Sequence, residues 1–546
     1  MQANKYRILV IRLSSLGDII LTTPALDALK ENYGNSEISF LTKQEYQGLF
    51  ESDPRVDSVI YFEAEGKDKG VSGLLRLRGS LNREKFDLIV DLHSNLRSFL
   101  IRLLVRAGKK VHYHNKLIPR FLMVRFKRWR VKPVSTVDNY LKSLGEIGIR
   151  AWSRIPRLYS KNENKIWAEN FFTENGLAKD EILVGIAPGA KRETKRWDLD
   201  KFSSVAKHLS QDLPVKILLV GDKDALKPIE EIENYAGKER TIQAVDLPLD
   251  RLIALVKRCG LFISNDSGLM HLASALGVPT IGIFGPTSPG LGFSPSGLED
   301  KVFWAGVDCS PCSLHGEKEC VMESRYCMDN IKPEDVIKEA KKIIGADKVI
   351  FLDRDGTITG EKDFVSRIEE IKFIPGSKEA LKTLQELGYK LIIVSNQSGI
   401  ARGIMTVEQV EEVNSFILKE LEKDGIKIEG IYYCSHHPEE NCDCRKPRTG
   451  LIRKALEGHP LKLKDAWVIG DKLSDVLLGR NIKGKSILVL TGYGQGTKQK
   501  IESKADVYAW HKPDYIAKDL LEAASFIKSE ALTESAEPVT NSHKKL

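Results

Sequence analysis

The stretch Lys348–Thr357, KVIFLDRDGT, determines how the second half of the chain is interpreted. Its four consecutive apolar residues, 349–352, predict a buried strand of a parallel sheet. Asp353 and Asp355 follow directly, and because side chains alternate along a strand, they should start on one side while Arg354 points away. Ligands bind at such strand ends in open α/β sheets.

This pair of carboxylates suits phosphoryl transfer. The first Asp can attack phosphorus, the second can move the proton of the leaving group, and Mg²⁺ can neutralise the phosphate. A DxDGT run by itself also fits a calcium loop or a capped turn, so the assignment depends on motifs further along the chain.

Two later strands are predicted to end in polar residues. The first ends in Ser395 and Asn396, whose hydroxyl and amide can bind a phosphoryl group. The second ends in Gly470 and is followed by Asp471 and Lys472. Asp471 would complete a magnesium site with Asp353 and the backbone carbonyl of Asp355.

The segment 434–446, CSHHPEENCDCRK, is the sharpest local signal. Three thiolates and one imidazole in a C-x-H-x5-C-x-C pattern fit a closed tetrahedral Zn²⁺ site. The proposed ligands are Cys434, His436, Cys442 and Cys444. Such a loop would hold Arg445 and Lys446 over the substrate phosphate.

The motifs FLDRDGT, SNQSGIARG, CxHHP…CDCRKP and VIGDK together resemble the D-glycero-D-manno-heptose 1,7-bisphosphate 7-phosphatases of the HAD superfamily, over roughly residues 348–525. The resemblance implies a HAD-like α/β fold with Mg²⁺, structural Zn²⁺ and an aspartyl-phosphate on Asp353. Asp355 would be the acid/base, while Lys446 and Lys472 would bind the phosphoryl group. The related histidinol-phosphate phosphatases share the zinc loop. Histidinol phosphate or a broad range of phosphomonoesters is therefore the alternative substrate class.

The first half of the chain begins with a strand at Tyr6–Arg12, the turn SSLGD at Ser14–Asp18 and a helix at Ile19–Tyr33. Further strand and helix patterns predict a doubly wound α/β domain. A second α/β unit starts near Asp180. The turn after the first strand is not GxGxxG, so a nicotinamide-binding domain has little support.

In the second unit, a predicted strand opens into Asp266, Ser267 and Gly268 and then a helix through His271. Asp266 and Ser267 can cap this helix, and its free N–H groups can hold a phosphate. Two such domains in tandem, with basic and Gly-rich loops on the second, have the GT-B architecture.

The motifs SSLGD, KRW, NDSGLMHLA and FGPTSP jointly resemble the heptosyltransferases of glycosyltransferase family 9, over roughly residues 5–345. The resemblance implies transfer from ADP-heptose to the inner core of lipopolysaccharide. Asp18 would be the general base, Lys195 would meet the diphosphate and Asp266 would hold the heptose hydroxyls. Ser267, Gly268 and His271 would lie in the nucleotide-sugar loop. Asp18 and Asp266 could instead only cap helices, and His271 could be a core residue.

Four more cysteines have a spacing that permits a structural metal site, although no metal role follows from the resemblance. They are Cys309, Cys312, Cys320 and Cys327.

Composition and charge limit the class of protein. The 546 residues include no apolar run long enough to span a membrane and no signal peptide, which predicts a cytoplasmic protein. The net charge is +8, yet the segment Arg97–Lys132 alone holds twelve Lys and Arg and no acid. This segment favours an acidic partner, such as an acceptor at the inner face of the cytoplasmic membrane, and no nucleic-acid motif accompanies it.

Four parts are therefore expected. They are an acceptor-side domain at 1–165, a nucleotide-sugar domain at 166–345, a HAD-like phosphatase at 346–528 and a disordered tail at 529–546. The predicted protein is bifunctional, with heptosyltransfer in the first half and heptose bisphosphate hydrolysis in the second. In the alternative, a non-catalytic or different-sugar GT-B module is fused to a phosphatase of other specificity.

Overall fold

A computed structural model describes residues 5–63, 65–114, 117–126, 135–178, 181–316, 319–320, 322–503 and 512–536. The chain divides into two compact units, Met1–Gly345 and Ala346–Leu546. Part of the predicted basic segment (115–116 and 127–132) and the end of the predicted tail (537–546) lie outside the described residues.

Three parallel sheets carry the fold, two in the first unit and one in the second. The strand orders are β3-β2-β1-β4-β5, β11-β10-β9-β6-β7-β8 and β14-β13-β12-β15-β16-β17. The strands are β1 Tyr6–Ile11, β2 Ser36–Lys43, β3 Ser58–Phe62, β4 Phe86–Asp91, β5 Ala107–His112, β6 Ile182–Ala187, β7 Val215–Gly221, β8 Thr241–Val245, β9 Leu261–Asn265, β10 Thr280–Phe284, β11 Lys301–Trp304, β12 Asp347–Leu352, β13 Lys390–Asn396, β14 Ile428–Cys434, β15 Leu461–Gly470, β16 Lys485–Val489 and β17 Tyr515–Ala517.

Helices connect the strands and cover the sheets. They are α1 Leu16–Leu21, α2 Thr23–Asn32, α3 Gly70–Arg83, α4 Leu96–Leu104, α5 Leu117–Phe126, α6 Thr136–Gly145, α7 Asn162–Glu174, α8 Leu199–Asp212, α9 Leu226–Ala236, α10 Leu249–Arg258, α11 Gly268–Ala275, α12 Tyr326–Asp329, α13 Pro333–Ile344, α14 Ser377–Glu386, α15 Val407–Glu422, α16 Gly450–Gly458, α17 Leu473–Asn481, α18 Gly494–Ser503 and α19 Leu520–Ala536. None of the described helices combines the length and apolar character that a membrane span requires.

In the first unit, the two sheets share one apolar core. A single cluster of buried side chains includes Ile8 and Val90 of the first sheet and Leu183 and Phe262 of the second. Helices α1 and α11 contact each other within this unit. The contact matters for function, because these are the two helices that follow the predicted site loops.

In the second unit, β12 lies at the centre of its sheet, between β13 and β15. Residues 349–352 are completely buried, as the continuous apolar run predicted. Because all six strands are parallel, the carboxyl ends of β12, β13, β14 and β15 lie along one edge of the sheet. This edge collects the predicted phosphatase residues.

Two local predictions differ from the structure. The predicted helix Ile19–Tyr33 is two helices, α1 and α2, which meet at Thr22 and leave Asp18 inside the first turn of α1. The tail was predicted to be disordered from Ser529, but α19 continues to Ala536. Its preceding turns bury apolar residues such as Ile527, and Glu530 pairs with Lys485, so burial and an ion pair extend the helix.

Candidate active sites

The phosphatase residues predicted from the second half meet at the carboxyl edge of its sheet. Asp353 follows β12, Ser395 and Asn396 end β13, and Asp471 follows β15. The backbone N–H of Asp353 donates to Ile469 at 2.9 Å, so the ladder continues up to this carboxylate. Parallel pairing alone therefore assembles this group.

A buried lysine neutralises the carboxylate of Asp353. Lys446 Nζ lies 3.0 Å from Asp353 Oδ1 and 2.6 Å from Asp475 Oδ1, and it donates to the Val394 carbonyl at 2.7 Å. Burial by itself would raise the pKa of Asp353, but Lys446 and then Lys472 outweigh it and the pKa is lowered. Asp353 is therefore ionised, as a nucleophile must be.

Asp475 is a site residue that the sequence reasoning missed. Its carboxylate lies with those of Asp353 and Asp471 in a group whose oxygens are within 4.8 Å of one another. Burial raises the pKa of Asp475. The signal was present in the sequence, since Asp475 follows Asp471 by four residues and so lies at the start of α17.

Asp471 is enclosed by backbone. A Cβ on Gly356 or on Gly492 would lie 2.3 Å from Asp471 Oδ2, and the Tyr493 N–H donates to the same oxygen at 2.8 Å. Asp471 Oδ1 is buried and accepts no hydrogen bond from the described residues. Burial and the charge of Asp353 raise the pKa of Asp471 to about 7. An orphaned oxygen among buried carboxylates fits a divalent cation.

The side chain of Arg354 does not follow the alternation that was predicted for residues 353–355. Arg354 does not point away: its Nε and Nη2 donate to Asp355 Oδ1 and Oδ2 at 2.9 and 2.8 Å, while its Nη1 donates to Asn414 at 2.9 Å. Strand β12 ends at Leu352, so residues 353–357 form a turn in which strand periodicity no longer applies. The Arg354 side chain is completely buried and fixes the Asp355 carboxylate.

The residues at the end of β13 act on two different neighbours. Gln397 Nε2 donates to Ser395 Oγ at 2.8 Å and to Asp355 Oδ2 at 3.0 Å. The Asn396 amide accepts from the Lys446 N–H at 3.0 Å and donates to the Lys446 carbonyl at 3.2 Å. Asn396 therefore positions the backbone of Lys446.

Two further cations lie in the predicted phosphate-binding segments. Arg445 Nη1 is buried and has no hydrogen-bond acceptor among the described residues. Lys472 is the more exposed cation, and its Nζ lies 2.8 Å from Glu361 Oε2 and 3.7 Å from Asp471 Oδ1. Both groups can receive an anion, Arg445 through an unused donor and Lys472 by exchanging Glu361 for it.

The three thiols and one imidazole predicted as metal ligands come together beside this edge. Cys444 Sγ lies 3.3 Å from Cys434 Sγ and from His436 Nδ1, and 3.5 Å from Cys442 Sγ. Tetrahedral coordination at a zinc–sulfur distance of ~2.3 Å separates two sulfurs by about 3.8 Å, whereas a disulfide would need ~2.05 Å. The ring of His437 lies outside the group and accepts the Glu439 N–H at 3.4 Å.

The four cysteines with metal-like spacing in the first unit do not appear among the potential metal-binding groups of the described residues; they are Cys309, Cys312, Cys320 and Cys327. Burial, with the neighbouring thiols of Cys309, Cys312 and Cys320, raises the pKa of Cys327 to about 11. A metal there stays a prediction.

In the first unit, Asp18 is both a helix residue and the centre of a charged group. The Ser15 hydroxyl donates to Asp18 Oδ2 at 2.7 Å, and Arg12 Nη2 lies 2.9 Å from Oδ1. Burial would raise the pKa of Asp18, but Arg12 and then Ser15 outweigh it and lower the pKa. The alternative that Asp18 only caps a helix is correct in part, because Asp18 belongs to the capping box of α1 with Ser15. Arg12 is a further residue that the sequence reasoning missed.

Lys195 and Asp266 form one pair, joined by a residue from the FGPTSP motif. Lys195 Nζ donates to Asp266 Oδ2 at 2.6 Å, and Thr287 Oγ1 donates to the same oxygen at 2.7 Å. Three loops, which follow β6, β9 and β10, therefore meet at this carboxylate. Ser267 is the N-cap residue of α11, while its hydroxyl lies 3.1 Å from Ser264 Oγ.

Glycines let the two loops of the first unit touch. A Cβ on Gly17 would lie 2.6 Å from His271 Cδ2, and one on Gly268 would lie 2.9 Å from Leu16 Cδ2. His271 is buried, which lowers its pKa, and it feels the charges of both Asp266 and Asp18. The structure therefore brings the predicted transferase residues together around one imidazole.

Family models match both units. The model described as glycosyltransferase family 9 (heptosyltransferase) matches residues 74–323. A HAD-hydrolase-like model matches residues 443–523, and a polynucleotide kinase 3 phosphatase model matches residues 348–474.

Individual proteins are similar to each unit. The second unit is similar to the D-glycero-beta-D-manno-heptose-1,7-bisphosphate 7-phosphatase of Helicobacter pylori strain J99. The two are 45% identical over 150 residues, which are 27% of this chain and 86% of that protein. The same-named protein of Haemophilus ducreyi is 39% identical over 167 residues, 29% of this chain and 91% of that protein. The crystal structure of a family 9 glycosyl transferase from Veillonella parvula covers 63% of this chain and 98% of its own, with 26% identity and a TM-score of 0.53.

Replacing Lys446 tests how the buried carboxylates are held. We expect Lys446→Met to lower the free energy of unfolding of the second unit by about 3–5 kcal/mol, because it leaves Asp353 and Asp475 buried without their cation. Adding Asp475→Asn should recover part of this loss. The free energy of unfolding can be measured from hydrogen–deuterium exchange of the β12 amides at increasing urea concentrations, in magnesium-free buffer.

The matched control is Lys462→Met, whose ion pair with Asp465 is partly exposed and should contribute less than about 1 kcal/mol. Equal losses for Lys446→Met and Lys462→Met would contradict the assigned role of Lys446.

Proposed function

We propose that this chain is a bifunctional enzyme of heptose metabolism in lipopolysaccharide synthesis, because its second unit belongs to the family of D-glycero-beta-D-manno-heptose-1,7-bisphosphate 7-phosphatases and the glycosyltransferase family 9 model matches residues 74–323 of its first unit. The observation that carries the phosphatase assignment is the ionised Asp353 between Lys446 and two more buried carboxylates. For the transferase it is the convergence of Asp18 and Asp266 on His271.

In the phosphatase, Asp353 attacks the 7-phosphate of heptose 1,7-bisphosphate and the heptose oxygen leaves. Lys446 balances the charge of Asp353, and Arg445 and Lys472 bind the phosphoryl oxygens. Asp355 gives a proton to the leaving oxygen and later takes one from the water that hydrolyses the aspartyl-phosphate. Arg354 and Gln397 hold its carboxylate for this task.

Magnesium fits the carboxylate group of the second unit. Asp353 and Asp471 would hold it with the backbone carbonyl of Asp355, as the sequence predicted, and Asp475 is an added candidate. The orphaned Oδ1 of Asp471 supports this assignment. When bound, the ion supplies charge neutralisation for the transferred phosphoryl group.

Zinc fits the thiol cluster. Cys434, Cys442 and Cys444 with His436 are the donor set of a closed structural site, and their mutual distances suit one ion. Lys446 follows Cys444 by two residues, so the bound metal would fix the segment that delivers this lysine to Asp353.

In the transferase, Asp18 accepts the proton of the acceptor hydroxyl as that oxygen attacks the anomeric carbon of ADP-heptose. Lys195 stabilises the departing diphosphate, and Asp266 holds the heptose hydroxyls once substrate displaces Lys195 from it. The nucleotide-sugar loop contains Ser267, Gly268 and His271. The acceptor is a lipid A/Kdo-type molecule, and the protein would meet it at the inner face of the cytoplasmic membrane.

Two variants separate the activities. We expect Asp353→Asn to slow phosphate release from D-glycero-β-D-manno-heptose 1,7-bisphosphate at least about a thousandfold, because the nucleophile is lost, while heptosyltransfer is kept. Asp18→Asn should slow heptosyltransfer by about 10²–10⁴-fold while phosphate release is kept. Malachite-green phosphate detection and ADP release measure the two rates.

The retained activity of each variant, together with ADP binding by Asp18→Asn, controls for folding. Faster hydrolysis of histidinol phosphate than of the heptose bisphosphate would contradict the phosphatase assignment. A wild-type protein that transfers no heptose to a Kdo-bearing acceptor would contradict the transferase assignment.

Gly17→Ala tests the contact between the two loops of the first unit. We expect about a hundredfold loss of heptosyltransfer, because the new methyl group displaces His271 and separates Asp18 from the donor site. Gly145→Ala is the matched control, since a Cβ there meets nothing within 4 Å and its rate should be unchanged. Equal rates for both variants would show that the loop contact is not needed.

Neighbouring histidines test the zinc site. We expect His436→Gln to lose bound zinc to a weak chelator and to lower phosphatase activity, because one of four ligands is missing. His437→Gln should keep both metal and activity. Mass-spectrometric metal analysis of the dialysed proteins measures the effect, and loss of zinc from His437→Gln alone would contradict the ligand assignment.

A further inference from the structure

Two neighbouring helices of the first sheet, α3 and α4, expose apolar side chains between arginines. Val71 and Leu96 are each 74% exposed, Leu103 is 62% exposed, and Leu75 and Phe99 are 50% and 45% exposed. Their sequences, GVSGLLRLRGSLNR and LRSFLIRLL, contain neither Asp nor Glu. The two helices pack against each other, so these side chains share one surface.

The core of the first unit does not account for these residues. The inner faces of the helices already bury Leu77 and Leu81 of α3 and Ile101 of α4 against the sheet. The exposed apolar residues lie on the remaining faces, where an ordinary solvated helix carries polar side chains. Exposed apolar groups that cluster in this way mark an interaction surface.

The charges on this surface have one sign. Arg76, Arg97 and Arg106 are exposed, and none of them forms an ion pair with a described carboxylate. Asp91, the acid before α4, is completely buried and lies 3.8 Å from Arg102, and Glu84, which follows α3, pairs with Arg7. The surface therefore presents positive charge beside apolar groups.

We propose that the outer face of α3 and α4 docks the protein on an anionic lipid bilayer. Leucine, valine and phenylalanine can enter the boundary between headgroups and acyl chains, while the arginines meet the lipid phosphates. Helix α5 repeats this composition, with Phe121, Leu122 and Phe126 exposed and no acid.

The position of this docking face suits the transferase site. In a parallel sheet, α4 starts at the carboxyl edge because it follows β4, and α3 starts at the same edge because it follows β3. The loop of Asp18 follows β1 and so leaves the sheet at this edge as well. Docking would thus present Asp18 to an acceptor anchored in the bilayer, a consequence that rests on the proposed heptosyltransfer.

Nucleic acid is the less suitable partner. Binding to a phosphate backbone needs the arginines but gains little from Val71, Leu96 or Phe99, which would stay in water. A bilayer uses both kinds of side chain, and so the apolar residues favour it.

Vesicle flotation of the full chain tests the proposal without donor or acceptor. We expect the protein to float with vesicles of equal parts phosphatidylcholine and phosphatidylglycerol and to bind pure phosphatidylcholine at least tenfold more weakly. Leu96→Ser/Phe99→Ser and Arg97→Glu/Arg106→Glu should each weaken binding to the anionic vesicles about tenfold or more.

Matched controls come from other exposed positions of the first unit. Ile166→Ser/Tyr235→Ser removes side chains that are 64% and 53% exposed, and Lys227→Glu/Lys238→Glu reverses two exposed charges. Both should bind like wild type. No binding of the wild type, or equal losses in test and control variants, would overturn the proposal. The proposal would also be overturned if duplex DNA displaced the wild-type protein from vesicles and the Leu96→Ser/Phe99→Ser variant still bound that DNA. This result would identify a nucleic-acid surface.

Heptosyltransfer to a soluble, deacylated acceptor separates this proposal from the proposed function. The Leu96→Ser/Phe99→Ser variant should keep this rate at the wild-type level, because its substitutions remove no charge and lie outside the Asp18 and Asp266 groups. A wild-type protein that floats but does not transfer would leave the docking face standing and contradict the transferase assignment.

Discussion

The ion pairs of Lys446 are the interaction on which the phosphatase site depends. Three carboxylates lie buried within 4.8 Å of one another, an arrangement that repels itself unless a cation stays among them. Lys446 reaches two of them and is anchored by the Asn396 amide and the Val394 carbonyl. Lys446 follows Cys444 of the thiol cluster by two residues, so the cluster and this lysine lie in one loop.

The transferase site depends on a different constraint, the close approach of two loops from two sheets. Gly17 and Gly268 have no side chain where the partner loop carries His271 and Leu16. The charges of Asp18, Asp266 and Lys195 therefore all act on His271. The glycines in SSLGD and NDSGLM thus act by leaving room for the opposite loop.

Much of this was predictable from sequence, because parallel strands and their final residues leave clear patterns. The run 349–352 predicted the central strand, and the structure brings Asp353, Ser395 and Asp471 to one sheet edge with the thiol cluster beside it, while the roles of these residues stay predictions. The prediction that Arg354 points away from the site was wrong, because side chains stop alternating where β12 ends, at Leu352. Thr287 was missed because its hydrogen bond to Asp266 joins two different loops, which local spacing does not encode. Arg12 and Asp475 lie only six and four residues from Asp18 and Asp471, so their signal was present in the sequence and was overlooked.

The most direct test of the phosphatase account is the identity of the phosphorylated residue. The wild-type protein would be quenched during turnover of heptose 1,7-bisphosphate, reduced with borohydride and digested for mass spectrometry. Reduction converts an aspartyl-phosphate to homoserine, and we expect homoserine at Asp353 and unmodified Asp355. Homoserine at Asp355, or at neither position while phosphate is still released, would contradict the central role given to the Lys446–Asp353 pair.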